Sequence, residues 1–114
     1  MEFEEMIRLS LEIERRFDEI NERRWEVQTI TVELSKQVGD LCKVILNHEG
    51  YYLPDRKKRE DYKARKEDIA NELADILHQV IRIANYYDID LQQAHIEARK
   101  KEGEYIEKHK RGKG

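Results

Sequence analysis

Glu33, Gln37 and Asp40 follow one another at intervals of four and three residues, and Glu72, Asp75 and Gln79 at three and four. Each sits one residue before an apolar one: Leu34, Val38 and Leu41 in the first set, Leu73, Ile76 and Val80 in the second. One residue is about 100° around a helix, so each polar stripe borders an apolar seam rather than facing away from it. If the two helices pack antiparallel through their seams, a local two-fold puts both stripes on the same side, and the acids converge. Converging carboxylates raise one another's pKa unless a cation neutralises them. Oxygen-only donors suit a hard divalent ion, Mg²⁺ or alternatively Mn²⁺. Such an ion neutralises phosphate charge and activates a water, so the chemistry indicated is metal-assisted hydrolysis of a phosphoanhydride. The same spacing also describes a solvated helix face in a charge-rich chain, and both readings stand at this point.

The elements that must position these residues are helices. A first segment spans about residues 2 to 22, with Phe3, Met6, Ile7, Ile13, Phe17 and Ile20 at helical spacing. A second, about 25 to 47, carries the seam Val27, Ile30, Leu34, Val38, Leu41 and Ile45. A third, about 65 to 87, carries Ile69, Leu73, Ile76, Val80, Ile83 and Tyr87. Asp90 opens a fourth, and Asp90-Leu91-Gln92-Gln93 fits a capping box. Between the second and third, Gly50 and Pro54 break the helix and the charge run Arg56 to Asp61 follows, so a loop or mobile excursion is expected there. Gly39 sits mid-helix beside Asp40, which implies either a close helix approach or a mild defect.

Composition bounds the rest. A chain of 114 residues makes one domain with a modest core, expected over residues 1–107, followed by a basic frayed tail at 108–114. Charged residues are 41% and hydrophobic ones 39%, but the apolar residues are periodic, which argues against disorder. A single proline leaves too few turn signals for a sheet protein. The net charge of −3 gives no field that draws the body onto nucleic acid. Cys42, the lone cysteine, excludes an internal disulfide and a cysteine-only zinc site; it is expected as a small packed side chain. The acidic start and the lack of a long apolar run predict neither a secretory signal nor a membrane span, hence a cytoplasmic setting.

Glu72-Leu73-Ala74-Asp75-Ile76-Leu77, continuing through Arg82-Ile83-Ala84 to Asp88-Ile89-Asp90-Leu91-Gln92-Gln93-Ala94, resembles the third and fourth helices of the MazG-like all-α nucleoside triphosphate pyrophosphohydrolases. Glu22-Arg23-Arg24-Trp25 and Val38-Gly39-Asp40-Leu41 resemble that family's entry to helix two and its E-V-G-E-L segment. The resemblance covers about residues 17 to 105. It implies an antiparallel four-helix bundle assembled as a homodimer or homotetramer. It also implies an Mg²⁺-dependent cleavage of nucleoside triphosphates between the α and β phosphates, giving the monophosphate and pyrophosphate. The family's E-x-x-D motif matches Glu72 and Asp75 in full, and Asp40 replaces the last Glu of its E-E-x-x-E motif. Lys36 and Gln37 stand at the two leading Glu positions. By this resemblance Asp40, Glu72 and Asp75 are the catalytic metal ligands, with Glu33 or Gln37 as weaker donors. Lys100, Lys101, Tyr105 and Lys108 are candidates for its phosphate-binding elements.

Trp25 would stack on a nucleobase, or else belong to the core or a subunit interface. His48, His78, His95 and His109 show no metal-ligand spacing and no adjacent nucleophile. Because two seams and a short first helix exceed what one chain covers, the core is expected to be completed by a second subunit. The leading expectation is therefore an Mg²⁺-dependent nucleotide pyrophosphohydrolase. The alternative is a non-catalytic helical relative that binds nucleotide or acts as a scaffold, since two motif glutamates are replaced. A third reading, an adaptor touching nucleic acid through Arg56 to Arg59 and the tail, is the weakest, and nucleic acid is not an expected partner.

Overall fold

A computed structural model describes residues 2–57 and 65–112. Helices form wherever the sequence has three- and four-residue apolar spacing without Pro or Gly clusters. They are α1 (Phe3–Ile20), α2 (Val27–His48), the single turn α3 (Pro54–Lys57), α4 (Lys66–Tyr86) and α5 (Leu91–Gly112). No strand occurs among the described residues. The segment expected as a loop thus holds one helical turn opened by Pro54, a residue suited to a first helical position. Most of the charge run, from Lys58 on, lies outside the described residues, as do Lys113 and Gly114 of the tail. Helix α5 continues past the expected end of the domain, to Gly112.

The helix ends follow from local chemistry. Helix α2 closes on Gly50 at φ 81°, with Tyr51 N donating to Leu46 O and Gly50 N to Asn47 O. Helix α4 closes on the same pair of bonds, Ile89 N to Ala84 O and Asp88 N to Asn85 O, but with Asp88 in the left-handed position at φ 54°. At the start of α4 the buried Asp68 carboxylate accepts the Arg65 backbone N–H at 3.0 Å and faces the Arg65 Nε at 3.4 Å. The capping box expected at Asp90 is half present. Asp90 accepts the Gln93 backbone N–H at 3.0 Å, while the Gln93 amide turns forward to Glu97 at 2.9 Å.

Helix α2 packs along α4, and α1 makes a smaller contact with α4. The buried apolar residues are few: Ile30 and Val44 on α2, Ile81 and Ala84 on α4. Buried beside them are the polar residues Asn47, Asp68 and Gln79. The expected seam is only partly enclosed. Leu34, Leu41, Ile69, Ile76, Val80 and Ile83 are half-buried, but Val38, Ile45, Leu73 and Tyr87 remain 43%, 40%, 53% and 58% exposed. On a wheel of 100° per residue the buried face of α2, through Ile30, Gln37 and Val44, is turned about 60° from the seam toward the polar stripe. The helix pair therefore closes over Glu33, Gln37 and Asp40 more than the seam pattern predicts. Two smaller expectations also change. Cys42 is exposed rather than packed, and a Cβ built at Gly39 meets nothing within 4 Å. Within one chain, Gly39 therefore serves no close approach.

Candidate functional site

The rotation of α2 determines the surroundings of the stripe. Glu33, Gln37 and Asp40 are half-buried, as is Glu72 across from them on α4; Gln79 is buried and Asp75 exposed. The residue that draws the acids together is Lys36. Its Nζ lies 3.4 Å from Glu33 Oε1 and 3.8 Å from Asp40 Oδ2. The ammonium is held above its ordinary pKa chiefly by the charge of Glu33 and the hydrogen bond to it. Asp40 adds to this, and Glu72 contributes from the other helix. Gln37 Nε2 donates to the same Glu33 Oε1 at 3.1 Å, and its own Oε1 is buried without a hydrogen-bond partner. Among the described residues, no three or more Asp, Glu, His or Cys side chains are gathered in the geometry of a metal site. Two carboxylates of α2, Glu33 and Asp40, pair with one cationic group, Lys36, and Glu72 of α4 adds its charge from further off.

Next to this cluster is a half-open cleft of about 340 Å³ between α1, α2 and α4. Trp25, Glu33, Gln37 and Asp75 of the sequence-derived candidates line it. Its remaining wall is a polar network that links α1 to α4. His78 Nε2 donates to Glu14 Oε1 at 2.6 Å and Arg82 Nη2 pairs with Glu14 Oε2 at 2.8 Å. Arg82 Nη1 donates to Gln79 Oε1 at 3.1 Å, and its guanidinium lies 5.3 Å from the centroid of the Trp25 ring. A planar aromatic face beside hydrogen-bonding amides and carboxylates can hold a flat polar ligand such as a nucleobase. Asn21 and Phe17 complete the rim.

The candidates fall into two groups. Glu33 and Asp40 meet at Lys36, with the charge of Glu72 acting on it from α4, while Asp75, Glu33, Gln37 and Trp25 share the cleft. Lys100, Lys101 and Tyr105 are exposed on α5, and none of them lines the cleft. Lys100 instead borders a shallow groove along α5 with Gly103, Glu104, Glu107 and Lys108. Sequence reasoning missed Glu14, His78, Gln79 and Arg82 as a connected unit. The pairing of Glu14 with His78 spans 64 residues, so spacing carries no trace of it. Local sequence does not single Glu14 out either, since it is one of three charged residues between Ile13 and Phe17 on α1.

Fold and site together define an all-α protein with a carboxylate-bordered, tryptophan-bearing cleft at the contact of three helices. Comparison of the chain with models of protein families, with curated proteins and with solved structures finds no match in any of the three.

Proposed function

We propose that the chain is a divalent-metal-dependent nucleoside triphosphate pyrophosphohydrolase of the MazG-like type, cleaving the α–β phosphoanhydride to give nucleoside monophosphate and pyrophosphate. One arrangement carries the reading: Glu33 and Asp40 hold one cation, Lys36, at 3.4 and 3.8 Å beside a cleft lined by Glu33, Trp25 and Asp75, with the charge of Glu72 added from α4. The donor chemistry fits Mg²⁺ or Mn²⁺, because every donor is an oxygen and Gln37 Oε1 is a buried carbonyl oxygen without a partner. Asp40, Glu72 and Asp75 would hold the ion, with Glu33 and Gln37 as further donors. When bound, the ion supplies phosphate charge neutralisation and a water nucleophile.

The chain's own residues supply the rest. Lys36 is mostly exposed on a flexible four-carbon stem, so its ammonium would be able to turn from the carboxylates toward phosphate oxygens. Trp25 offers a stacking face to the base, and Gln37 and Asn21 offer amides to its edge. Lys100, Lys101 and Tyr105 lie away from the cleft, so Lys36 takes the phosphate-binding part in this reading. Glu33 and Gln37, early on α2, share the cleft with Asp75 and Gln79, later on α4, which supports an antiparallel helix pair. The extensive exposed apolar surface supports a homo-oligomer. No helix among the described residues is long and apolar enough to cross a membrane, in keeping with a proposed cytoplasmic setting.

The test is a panel of nucleoside triphosphates with Mg²⁺ or Mn²⁺, assayed for pyrophosphate and orthophosphate separately. Pyrophosphate release that Asp75→Asn abolishes without loss of helicity is the expected result. Release of orthophosphate alone, or full turnover by Asp75→Asn, rejects the reading. The second reading, a nucleotide-binding or scaffold protein without catalysis, is favoured by the place of Lys36 among the carboxylates, where it already satisfies part of their charge. Calorimetry separates the two. Nucleotide binding that requires the metal belongs to the hydrolase, and nucleotide binding indifferent to it belongs to the scaffold.

A further inference from the structure

We infer that the outer face of α1 docks an amphipathic helix of another protein, one whose apolar heptad seam is bordered by Lys or Arg. This inference does not depend on the hydrolase reading. At 100° per residue, the half-buried Phe3, Ile7, Ser10, Leu11 and Glu14 project over one arc of about 100°, the side that carries the Glu14 contact with α4. Leu9, Ile13, Phe17 and Ile20 project over the neighbouring arc of about 80°, and all four are exposed, Ile20 by 75%. An apolar stripe three turns long, on a helix whose packed side is already used, marks an interaction surface rather than a solvated face.

The stripe has the spacing of a helix-pairing surface. Met6, Leu9, Ile13, Arg16 and Ile20 stand at intervals of three and four in strict alternation. Ile13, Arg16, Phe17 and Ile20, at i, i+3, i+4 and i+7, border a groove of about 280 Å³ with Glu19 at its rim. Four residues at that spacing form the hole that receives one side chain from a facing helix. Arg16 is the one charged member of the seam, and its aliphatic stem is long enough to carry the charge out to the edge.

Charge selects the occupant. Glu5, Glu12 and Glu19, seven residues apart and all exposed, run along one border of the stripe, where charges set partner choice in paired helices. Glu19 also meets Arg15 at 3.1 Å, but both side chains are mostly exposed, and such a pair yields readily to a new cation. Over its whole length α1 has six acidic side chains and three arginines. A second copy of α1 matches this face poorly. Laid antiparallel in full overlap, it brings Glu12 against its own copy and Glu5 against Glu19. Laid parallel, it brings Arg16 against its own copy in the seam. An anionic membrane surface is repelled by the same acidic border. A basic-bordered helix of another protein satisfies both the apolar seam and the row of glutamates.

The test uses the full chain and two fluorescently labelled three-heptad peptides with leucine at the seam positions. One peptide has lysine at the bordering positions and the other glutamate, and like charges there keep each from pairing with itself. Fluorescence anisotropy is expected to show saturable binding of the lysine peptide, with the glutamate peptide at least about ten-fold weaker. The double variant Leu9→Asp, Ile13→Asp separates docking from simple attraction of opposite charges. It adds two negative charges, which strengthens general attraction to lysine, yet it destroys the seam. Loss of binding with helical circular dichroism retained is the expected result. Should that variant unfold, Leu9→Ala, Ile13→Ala decides, because alanine favours the helix; its affinity for the lysine peptide falls at least about ten-fold. Glu5→Lys, Glu12→Lys, Glu19→Lys exchanges the order of the two peptides. No binding of the lysine peptide to the wild type, affinity kept in a folded seam variant, or an unchanged order after the triple reversal overturns the inference.

Discussion

Replacing Glu14 by alanine is expected to undock α1 from the body of the protein. No residue of α1 is buried, so apolar contact alone holds this helix weakly. Its one enclosed polar anchor is the Glu14 carboxylate, which meets His78 at 2.6 Å and Arg82 at 2.8 Å. Removing one member of a fully buried ion pair costs about 3–5 kcal/mol, mostly from the charge left behind. Here the side chains keep 18% exposure at Glu14 and 11% at Arg82, so solvent screening lowers the cost to about 2 kcal/mol. Arg82 keeps Gln79 and the Trp25 ring as neighbours, which limits the loss further. For a chain of this size about 2 kcal/mol lowers Tm by roughly 8 °C. Glu14→Gln retains an acceptor oxygen without the charge and is expected to lose about half as much. Urea denaturation followed by far-UV circular dichroism gives the stability, and emission from Trp25, the only tryptophan, reports on the Arg82 side of the cleft. If Glu14→Ala unfolds within about 0.5 kcal/mol of the wild type with unchanged Trp25 emission, then α1 is not held by this network, and the cleft wall described above is wrong.

Further outcomes follow from the helix ends and from Lys36. Asp88→Gly relieves a left-handed residue and is expected to stabilise by about 1 kcal/mol, whereas Gly50→Ala, at the equivalent position of α2, costs about as much; paired thermal melts show opposite signs. Asp68→Ala removes the acceptor for the Arg65 N–H at the start of α4 and lowers stability by about 1–2 kcal/mol in denaturant titration. Lys36→Met takes a positive charge from beside Glu33 and Asp40 and is expected to tighten Mg²⁺ binding several-fold, at least about five-fold, read by calorimetry. The folded state holds Lys36 above its ordinary value of 10.5. Its contribution to stability is therefore complete below that pH and is lost as pH rises through the raised value. The stability difference between wild type and Lys36→Met is accordingly flat near neutrality and shrinks in strong alkali.

Much of the architecture was legible before any coordinates. The three- and four-residue spacing from Phe3 to Ile20, Val27 to Ile45 and Ile69 to Ile83 marks α1, α2 and α4, because amphipathic periodicity is a local property of the chain. The phase of Glu33, Gln37 and Asp40 relative to the seam was legible for the same reason, as was the phase of Glu72 and Asp75. The capping role of Asp68 was missed, since its partner is the backbone N–H of Arg65 rather than a recognisable side chain. Of the two meanings that a mid-helix Gly39 allows, a close approach or a mild defect, the single chain offers no approach, since nothing lies within 4 Å of a Cβ built there.

Periodicity gives a helix its apolar stripe but leaves open its rotation about its own axis. That angle is set by the partner helix, and on α2 it falls about 60° toward the acids, leaving Ile30 and Val44 as its buried apolar residues. The contacts of Lys36 with Glu33 and Asp40 lie three and four residues away on its own helix, so spacing records them, and tertiary structure added only the charge of Glu72. Tertiary structure alone brought Glu14 to His78 and Arg82 across the width of the molecule. A side chain's neighbours along its own helix are written in the spacing of the sequence. Its neighbours across a packing face depend on how whole helices turn and slide to bury what they can, and no local pattern records that choice.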